Sequence, residues 1–324
     1  MLVVLAVLLT TQNAQATIVR FNMEGNSTSL GQIDVRFYDT ATPFSVANFL
    51  NYQGAGKYNG SFIHRSVPGF VIQGGGFSYD PDQYPPSIET DPPVVNEFGI
   101  SNLRGTVAYA KNAGSVDSAT SQFFFSLADN SQNLDNQNGG FTVFGRVLGD
   151  GMETVDAIAA LPIANLDGGG VFGAVPVMNV SGGLAENLVF VSSVEVLDFS
   201  EGDYNFDGKV DAIDYTVWRD AVGSTLVAEP DGNGDGQVDT LDYNIWKSNF
   251  GAVTGNGTSL AMTVPEPTGL LMFLTWLVGW MAWGCRWFTI RSSSKQCWEG
   301  SPSSQPSCCE KTPGAAADRH AHPV

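Results

Sequence analysis

From Thr17 to Asp198 apolar and polar residues alternate in short runs, as in Thr17-Ile-Val-Arg-Phe21 and Ile33-Asp-Val-Arg-Phe37. Such alternation suits strands with one face buried and one face wet. Two helices stand out against this background. The first opens at Thr42-Pro43, an N-cap residue followed by proline at the first helical position, and carries Phe44, Ala47, Phe49 and Leu50. The second, near 150–161, sets Met152, Val155, Ile158 and Ala159 on one face. Many short strands, turn-rich connections and two helices predict a closed or nearly closed antiparallel barrel capped by helices. Residues 167–183, with a Gly-Gly-Gly run, read as a long flexible insertion before a last strand at Val189 to Leu197.

A second unit is marked by an internal repeat. Asp203-Tyr-Asn-Phe-Asp-Gly-Lys-Val-Asp-Ala-Ile-Asp214 recurs as Asp231-Gly-Asn-Gly-Asp-Gly-Gln-Val-Asp-Thr-Leu-Asp242, and the match runs on into Trp218 and Trp246. Each loop offers oxygen at positions 1, 3, 5, 9 and 12, glycine at 6 and a backbone carbonyl at 7, the EF-hand calcium pattern. The predicted ligands are Asp203, Asn205, Asp207, the Lys209 carbonyl, Asp211 and Asp214 in one loop. In the other they are Asp231, Asn233, Asp235, the Gln237 carbonyl, Asp239 and Asp242. Two Ca²⁺ ions are expected there, driving folding rather than catalysis, because each loop's carboxylates repel one another until neutralised. A solvated acidic linker is the plainer alternative, and it leaves the register of the repeat unexplained.

Composition narrows the function. A formal net charge of −18 over 324 residues argues against a nucleic-acid partner, which needs clustered Lys and Arg. All four cysteines, Cys285, Cys297, Cys308 and Cys309, lie near the C-terminus, so the main domain contains neither disulfides nor thiol chemistry.

The ends of the chain carry export signals. Residues 1–16 have an apolar core and end Ala14-Gln-Ala16, a secretory signal with cleavage expected after Ala16, although the usual basic start is missing. A buried first strand is the alternative. Residues 254–267 form a linker ending Val264-Pro-Glu-Pro267. An apolar stretch at 268–290 follows, read as a transmembrane or sorting helix, with a buried soluble helix as the other reading. Its uncharged part, Gly269 to Cys285, would rise ~25 Å as a helix. Arg286, Arg291 and Lys295 place positive charge on its C-terminal side, which leaves the large domain outside the cell. Residues 291–324 are Ser/Pro-rich and expected to be disordered.

The run Tyr58-Asn-Gly-Ser-Phe-Ile-His-Arg-Ser-Val-Pro-Gly-Phe-Val-Ile-Gln-Gly-Gly-Gly-Phe77 resembles the cyclophilin signature, with His-Arg, Pro-Gly-Phe and Gln-Gly-Gly at the family's spacings. Gly105 to Lys111, Asp117 to Phe125, Leu134-Asp135 and Phe141 to Gly145 resemble its later blocks, so the likeness covers about 17–198. It implies a closed eight-stranded antiparallel barrel capped by two helices, and peptidyl-prolyl cis/trans isomerase activity on X-Pro bonds of proline-containing polypeptides, without a cofactor. By resemblance Arg65 and Gln73 are catalytic. Phe70, Val71, Phe124 and Leu134 receive the proline ring, Ala110 and Gln122 line the neighbouring groove, Phe141 borders the substrate site, and His64 supports the loop holding Arg65. For any one phenylalanine alone, ordinary barrel core is the stronger reading. Asn133 and Phe141 stand where many eukaryotic members have tryptophan and histidine. The first change should weaken cyclosporin binding without harming catalysis.

The repeat at 199–253 resembles dockerin modules, implying a cohesin-like docking partner, with Ala212-Ile213 and Thr240-Leu241 at loop positions 10 and 11. Val-Pro-Glu-Pro before an apolar helix and arginine resembles the PEP-CTERM sorting signal, implying transient membrane anchoring and an exported, periplasmic or surface location. Two further readings stay open. One is a barrel that only holds proline segments and is recruited to a surface assembly by the dockerin-like unit. The other is a scaffold indifferent to substitution at Arg65, Phe70 and Gln73.

Overall fold

The computed structural model describes residues 16–80, 82, 85–181 and 187–254. The predicted signal segment before Ala16, the linker beyond Thr254, the apolar stretch at 268–290 and the tail at 291–324 lie outside the described residues. Among the described residues no helix is long and apolar enough to cross a membrane.

The strands are β1 (Ile18–Gly25), β2 (Thr28–Phe37), β3 (Ser61–Phe62), β4 (Arg65–Val67), β5 (Val71–Gly74), β6 (Thr106–Tyr109), β7 (Phe123–Ser126), β8 (Val143–Val147), β9 (Ile163–Ala164), β10 (Val175–Pro176) and β11 (Val189–Val196). Nine of them form one sheet in the order β3-β11-β1-β2-β8-β6-β7-β5-β4, and every pairing in it is antiparallel. The expected closed barrel of eight strands is therefore corrected to a curled, open ladder of nine. Its two edges, β3 and β4, are consecutive pieces of chain. Between them the Ile63 amide donates to Val189 O while the His64 amide donates to Gln73 O. One short segment thus changes partners at the seam, which splits a strand in two and leaves the ends joined covalently rather than by a ladder.

The inward face of the sheet is aromatic. Phe21, Phe37, Phe123, Phe125 and Phe144 are fully buried together with Phe49 and Tyr58. Their rings meet at centroid distances such as 5.0 Å (Phe37 and Phe49) and 4.7 Å (Phe49 and Tyr58), within the range where edge and offset contacts add to burial. Phe49 comes from α1 (Pro43–Gly54), which buries Val46, Phe49 and Tyr52 against the sheet. Pro43 stands at its first turn, but Thr42 makes no side-chain cap. Its hydroxyl instead donates to Tyr38 O, and the Phe44 and Ser45 amides donate to the Glu97 carboxylate, a cap from a distant loop. A four-residue turn of helix, α2 (Ser131–Leu134), precedes β8. The second predicted helix is α3 (Gly151–Ala159), with Val155 and Ile158 buried as its periodicity requires.

The stretch expected to be a flexible insertion is packed at its centre. The Asp167 carboxylate accepts from the Gly169, Gly170 and Phe172 amides, closing a turn. Phe172, Val175 and Val177 are buried with Phe62 and Leu188. Apolar residues downstream of the glycine run anchor it to the barrel.

The repeat forms two short helices, α4 (Ala212–Ala221) and α5 (Thr240–Asn249), each with a capping box built by Asp211 and Asp214 or Asp239 and Asp242. The halves exchange equivalent contacts. Trp218 Nε1 donates to Asp239 O and Trp246 Nε1 to Asp211 O, both at 2.7 Å. Gly223 pairs with Val238 as Gly251 does with Val210. A duplicated sequence has folded into a pseudo-twofold pair, self-complementary in the manner of an isologous interface.

Candidate functional site

The residues expected at a proline site come together because strand alternation splits neighbouring residues between two faces. β4 and β5 pair with Arg65 opposite Gln73, and β5 pairs with β7 so that Gln73 faces Phe124. Ile72, Phe123 and Phe125 enter the aromatic core, whereas Val71 and Phe124 point to the opposite face with Ala108, Leu134 and Val143. Phe70, Ala110 and Phe141 pack against this second cluster. The middle phenylalanine of Phe123-Phe124-Phe125 therefore leaves the barrel core, against the reading that each alone suggests.

A cavity of 210 Å³ opens on that face, lined by Arg65, Phe70, Val71, Gln73, Ala110, Phe124, Leu134 and Phe141. Arg65 stands over the Phe70 ring with its guanidinium carbon 6.0 Å from the centroid. Its Nη1 donates to Gln73 Oε1 at 3.4 Å, and Gln73 Nε2 donates to Gln122 Oε1 at 2.8 Å. Burial draws the Arg65 pKa below the usual arginine value, and among the described residues no carboxylate pairs with it. A positive donor thus stands unneutralised at one side of an apolar pocket.

Two predicted residues stand back from the cavity. Gln122 lines an adjoining 460 Å³ groove with Gln73 and Ala110. His64 lies beneath, 1% exposed, its ring edge-on to Phe77 at 5.0 Å and its Nδ1 without a hydrogen-bond partner among the described residues. Burial first, and the Arg65 charge second, push its pKa down to about 4, so it is neutral at pH 7. A supporting role fits this position, since the His64 amide donates to Gln73 O and its buried ring lies under the strand that carries Arg65.

Two lining residues escaped the sequence reading, Lys111 and Gln137. Lys111 Nζ donates to Asn138 O at 2.8 Å, Gly140 O at 2.5 Å and Asn96 Oδ1 at 3.2 Å, and stands 4.9 Å from the Phe141 ring centroid. It ties down the loop between Leu134 and Phe141, whose ends also meet through the Phe141 amide and Leu134 O. The signal available was a lone cation following Ala110 in an acidic chain. Asn133 is exposed and pairs with Gln137. A larger cavity of 620 Å³ lies between β1, β2, α3 and the first acidic loop, but none of the signature residues lines it.

The model of the family "Cyclophilin type peptidyl-prolyl cis-trans isomerase/CLD" matches residues 20–179. Peptidyl-prolyl cis-trans isomerase A of Dickeya dadantii is 45% identical over 144 residues, 43% of this chain and 72% of that protein. The chain belongs to the cyclophilin-type peptidyl-prolyl isomerases. Similar isomerases of this cyclophilin include one from Acinetobacter baylyi, 42% identical over 42% of this chain and 70% of its own. Isomerase B of Escherichia coli is 39% identical over 40% of this chain and 80% of its own. Rotation about an X-Pro bond breaks no covalent bond, so the cyclophilin reaction calls for no cofactor. A Dockerin type I model matches residues 201–251 of the same cyclophilin.

The acidic loops of this second region have the donor chemistry of a hard-cation site. Asp203 accepts from the Asp207 and Gly208 amides, and Asp214 accepts from Tyr204, Asn205 and Asp211. Asp231 and Asp242 repeat every one of these bonds in the second loop. Asn205 and Asp207, like Asn233 and Asp235, turn their side chains onto loop amides. Burial and neighbouring carboxylates raise Asp231 to about 7 and Asp242 to about 6. Such crowded, buried carboxylates fit a divalent cation that would neutralise them. Asp211 and Asp239 instead spend an oxygen on helix caps, to the Ile213 and Leu241 amides. At position 9 a ligand acting through water suits that arrangement.

Proposed function

We propose that this isomerase works through Arg65, Gln73 and the apolar cavity beside them. Its supporting observation is the convergence of one guanidinium without a carboxylate partner among the described residues and four apolar side chains, Phe70, Val71, Phe124 and Leu134, on a single 210 Å³ space. The barrier to rotation, ~18–20 kcal/mol, comes from amide resonance, and uncatalysed X-Pro exchange takes tens to hundreds of seconds. In the twisted amide the proline nitrogen becomes pyramidal and regains a lone pair. The cavity seats the ring and excludes water, while Arg65 donates to that nitrogen and Gln73 orients the carbonyl side. An interaction made only in the twisted state speeds the reaction tenfold for each ~1.4 kcal/mol. The test is a protease-coupled assay on a proline test peptide with the full chain and Arg65→Ala. At least a tenfold fall in kcat/KM at unchanged melting temperature is expected, and an unchanged rate refutes the assignment.

The second region binds two Ca²⁺ through Asp203, Asn205, Asp207, Lys209 O, Asp211 and Asp214, and through the equivalent set from Asp231 to Asp242, and offers α4 and α5 to a cohesin-like partner. Calcium there supplies charge neutralisation, and the loop amides hold the carboxylates in place for it. A calorimetric titration showing no calcium uptake by the chain after chelation would falsify this. The substrates are proline-containing segments of exported proteins, encountered outside the cytoplasm by an enzyme held at the membrane through residues 268–290. The apolar core at Leu2 to Leu9 and the Pro-Glu-Pro motif support that reading. Fractionation of the producing cells tests it, recovery in the cytosol being the contrary result.

A further inference from the structure

The two acidic loops are copies, and their helices, caps and return bonds repeat, so a difference at equivalent positions marks a task that one loop has and the other lacks. Loop positions two and four carry Tyr204 and Phe206 in the first copy and Gly232 and Gly234 in the second. Backbone conformation does not demand glycine at position four, since φ is +64° at Gly234 and 59° at Phe206. Space does demand it. A Cβ on Gly234 would lie 2.8 Å from Phe37 O and 2.9 Å from Asp39 N, which are backbone atoms of the isomerase domain.

The close approach is used. The Thr40 and Ala41 amides donate to Gly234 O at 3.1 and 3.2 Å. Thr40 Oγ1 donates to Asn233 O at 2.7 Å. Arg36, fully buried on β2, sends Nη1 to Glu229 O and Asp231 O at 2.7 and 2.9 Å, its guanidinium carbon 5.5 Å from the centroids of both the Phe199 and Phe206 rings, which meet edge-on. Among the described residues the first loop's equivalent carbonyls, at Tyr204, Asn205 and Phe206, accept nothing from the isomerase domain. The glycines at position six differ likewise. A Cβ on Gly236 would meet Ile100 at 3.0 Å, whereas one on Gly208 meets nothing within 4 Å. Ile100 and Tyr38, the two side chains beside Gly236, belong to the cluster that contains Phe124 and Leu134 of the proline cavity.

We propose that the second acidic loop is specialised to dock on its own isomerase domain, so that calcium in this loop, and not in the first, clamps the β2–α1 corner beneath the proline cavity. The proposal rests on the calcium reading given above. Because the Asn233 and Gly234 carbonyls are fixed by the same loop fold that calcium closes, docking and loading favour each other, and by linkage each raises the affinity of the other by one factor.

Hydrogen exchange of the full chain, with and without excess calcium, reads the clamp at the Thr40 and Ala41 amides. Calorimetry in parallel reads calcium uptake. Calcium should slow exchange there at least tenfold in the unmutated chain and in Asp207→Ala, and should not do so in Asp235→Ala. Gly234→Phe gives the second loop the residue that the first tolerates at the same φ. It should still take up two calcium ions, one of them at least tenfold more weakly, and lose the protection at Thr40 and Ala41. Equal loss of protection in Asp207→Ala and Asp235→Ala overturns the proposal, as does full protection in Gly234→Phe. If the unmutated chain takes up no calcium, the calcium reading falls and the proposal falls with it. Two equal calcium sites in Gly234→Phe and in the unmutated chain overturn the proposal alone.

Discussion

Replacing Lys111 by methionine tests how the rim of the proline cavity is held. Methionine keeps an apolar stem over Phe141 and removes the ammonium that bridges Asn138 O, Gly140 O and Asn96 Oδ1. Hydrogen bonds from a charged donor contribute roughly 1.5–3 kcal/mol each, but this group is half-buried, so water replaces part of what is lost and about 2 kcal/mol in total is a reasonable cost. That energy bears on the loop between Leu134 and Phe141, both of which wall the cavity. A 2 kcal/mol shift changes a closed-to-open ratio by about thirtyfold, so kcat/KM for a proline peptide should fall between about fivefold and thirtyfold. The loss should lie in KM, because the wall holds the ring in planar and twisted states alike. Lys111→Arg should recover most of the activity, since a guanidinium reaches the same carbonyls. An Lys111→Met enzyme with unchanged KM and unchanged thermal midpoint would show that the loop needs no such tie.

Other outcomes follow from the same geometry. Phe124→Ala removes a 4%-exposed ring from the cavity wall and should cost about 3–5 kcal/mol of stability in urea unfolding together with most of the activity; a loss of activity alone would mean that the ring does not pack. His64 is neutral in the fold, with its pKa pushed down to about 4 from 6.5, so its contribution is intact above pH 6.5 and is lost as pH falls towards 4, at ~1.4 kcal/mol per pH unit. The stability gap between the natural chain and His64→Gln should therefore shrink by about 2–3 kcal/mol from pH 7 to pH 4.5 in excess calcium, and a constant gap contradicts the burial argument. Asn133→Trp should raise cyclosporin affinity measured by fluorescence titration, with kcat/KM little changed; no gain in affinity means that the drug's contact lies elsewhere.

Much of the sheet was legible because alternation is a local property. Ile33, Val35 and Phe37 could only be one face of a strand, and they are. What local pattern could not reveal was the seam at Ile63 and His64, where adjacent amides turn to opposite edges of the sheet. Nor could it show the helix cap, because Glu97 lies 53 residues from the Phe44 amide it satisfies. That the candidate site's residues share one cavity was legible through family spacing rather than through any residue alone. Phe123, Phe124 and Phe125 are chemically identical, and only the parity of β7 decides which of them faces the cavity. Lys111 was missed for a related reason. Its two shorter bonds go to backbone carbonyls, which carry no side-chain signature in sequence.

The duplicated region reverses that relation between pattern and structure. Repetition made the two acidic loops readable as equals, yet the departures from repetition carry the most structural information. Tyr204 lies 1% exposed and its hydroxyl donates to Asp242 O, so the first loop's position-two side chain fills the space beside the second loop that a side chain on Gly232 would need. At position four the relation is with the barrel, since Gly234 lies against Phe37 and Asp39 while Phe206 lies beside Arg36. A freely tethered module would place no such demand on either position, and a charged arginine would not be buried at its boundary. Arg36 Nε and Nη2 have no hydrogen-bond partner among the described residues. A cost of that kind is sustained where the surrounding contacts over-determine it, which here means where barrel and second loop are built as one packed body.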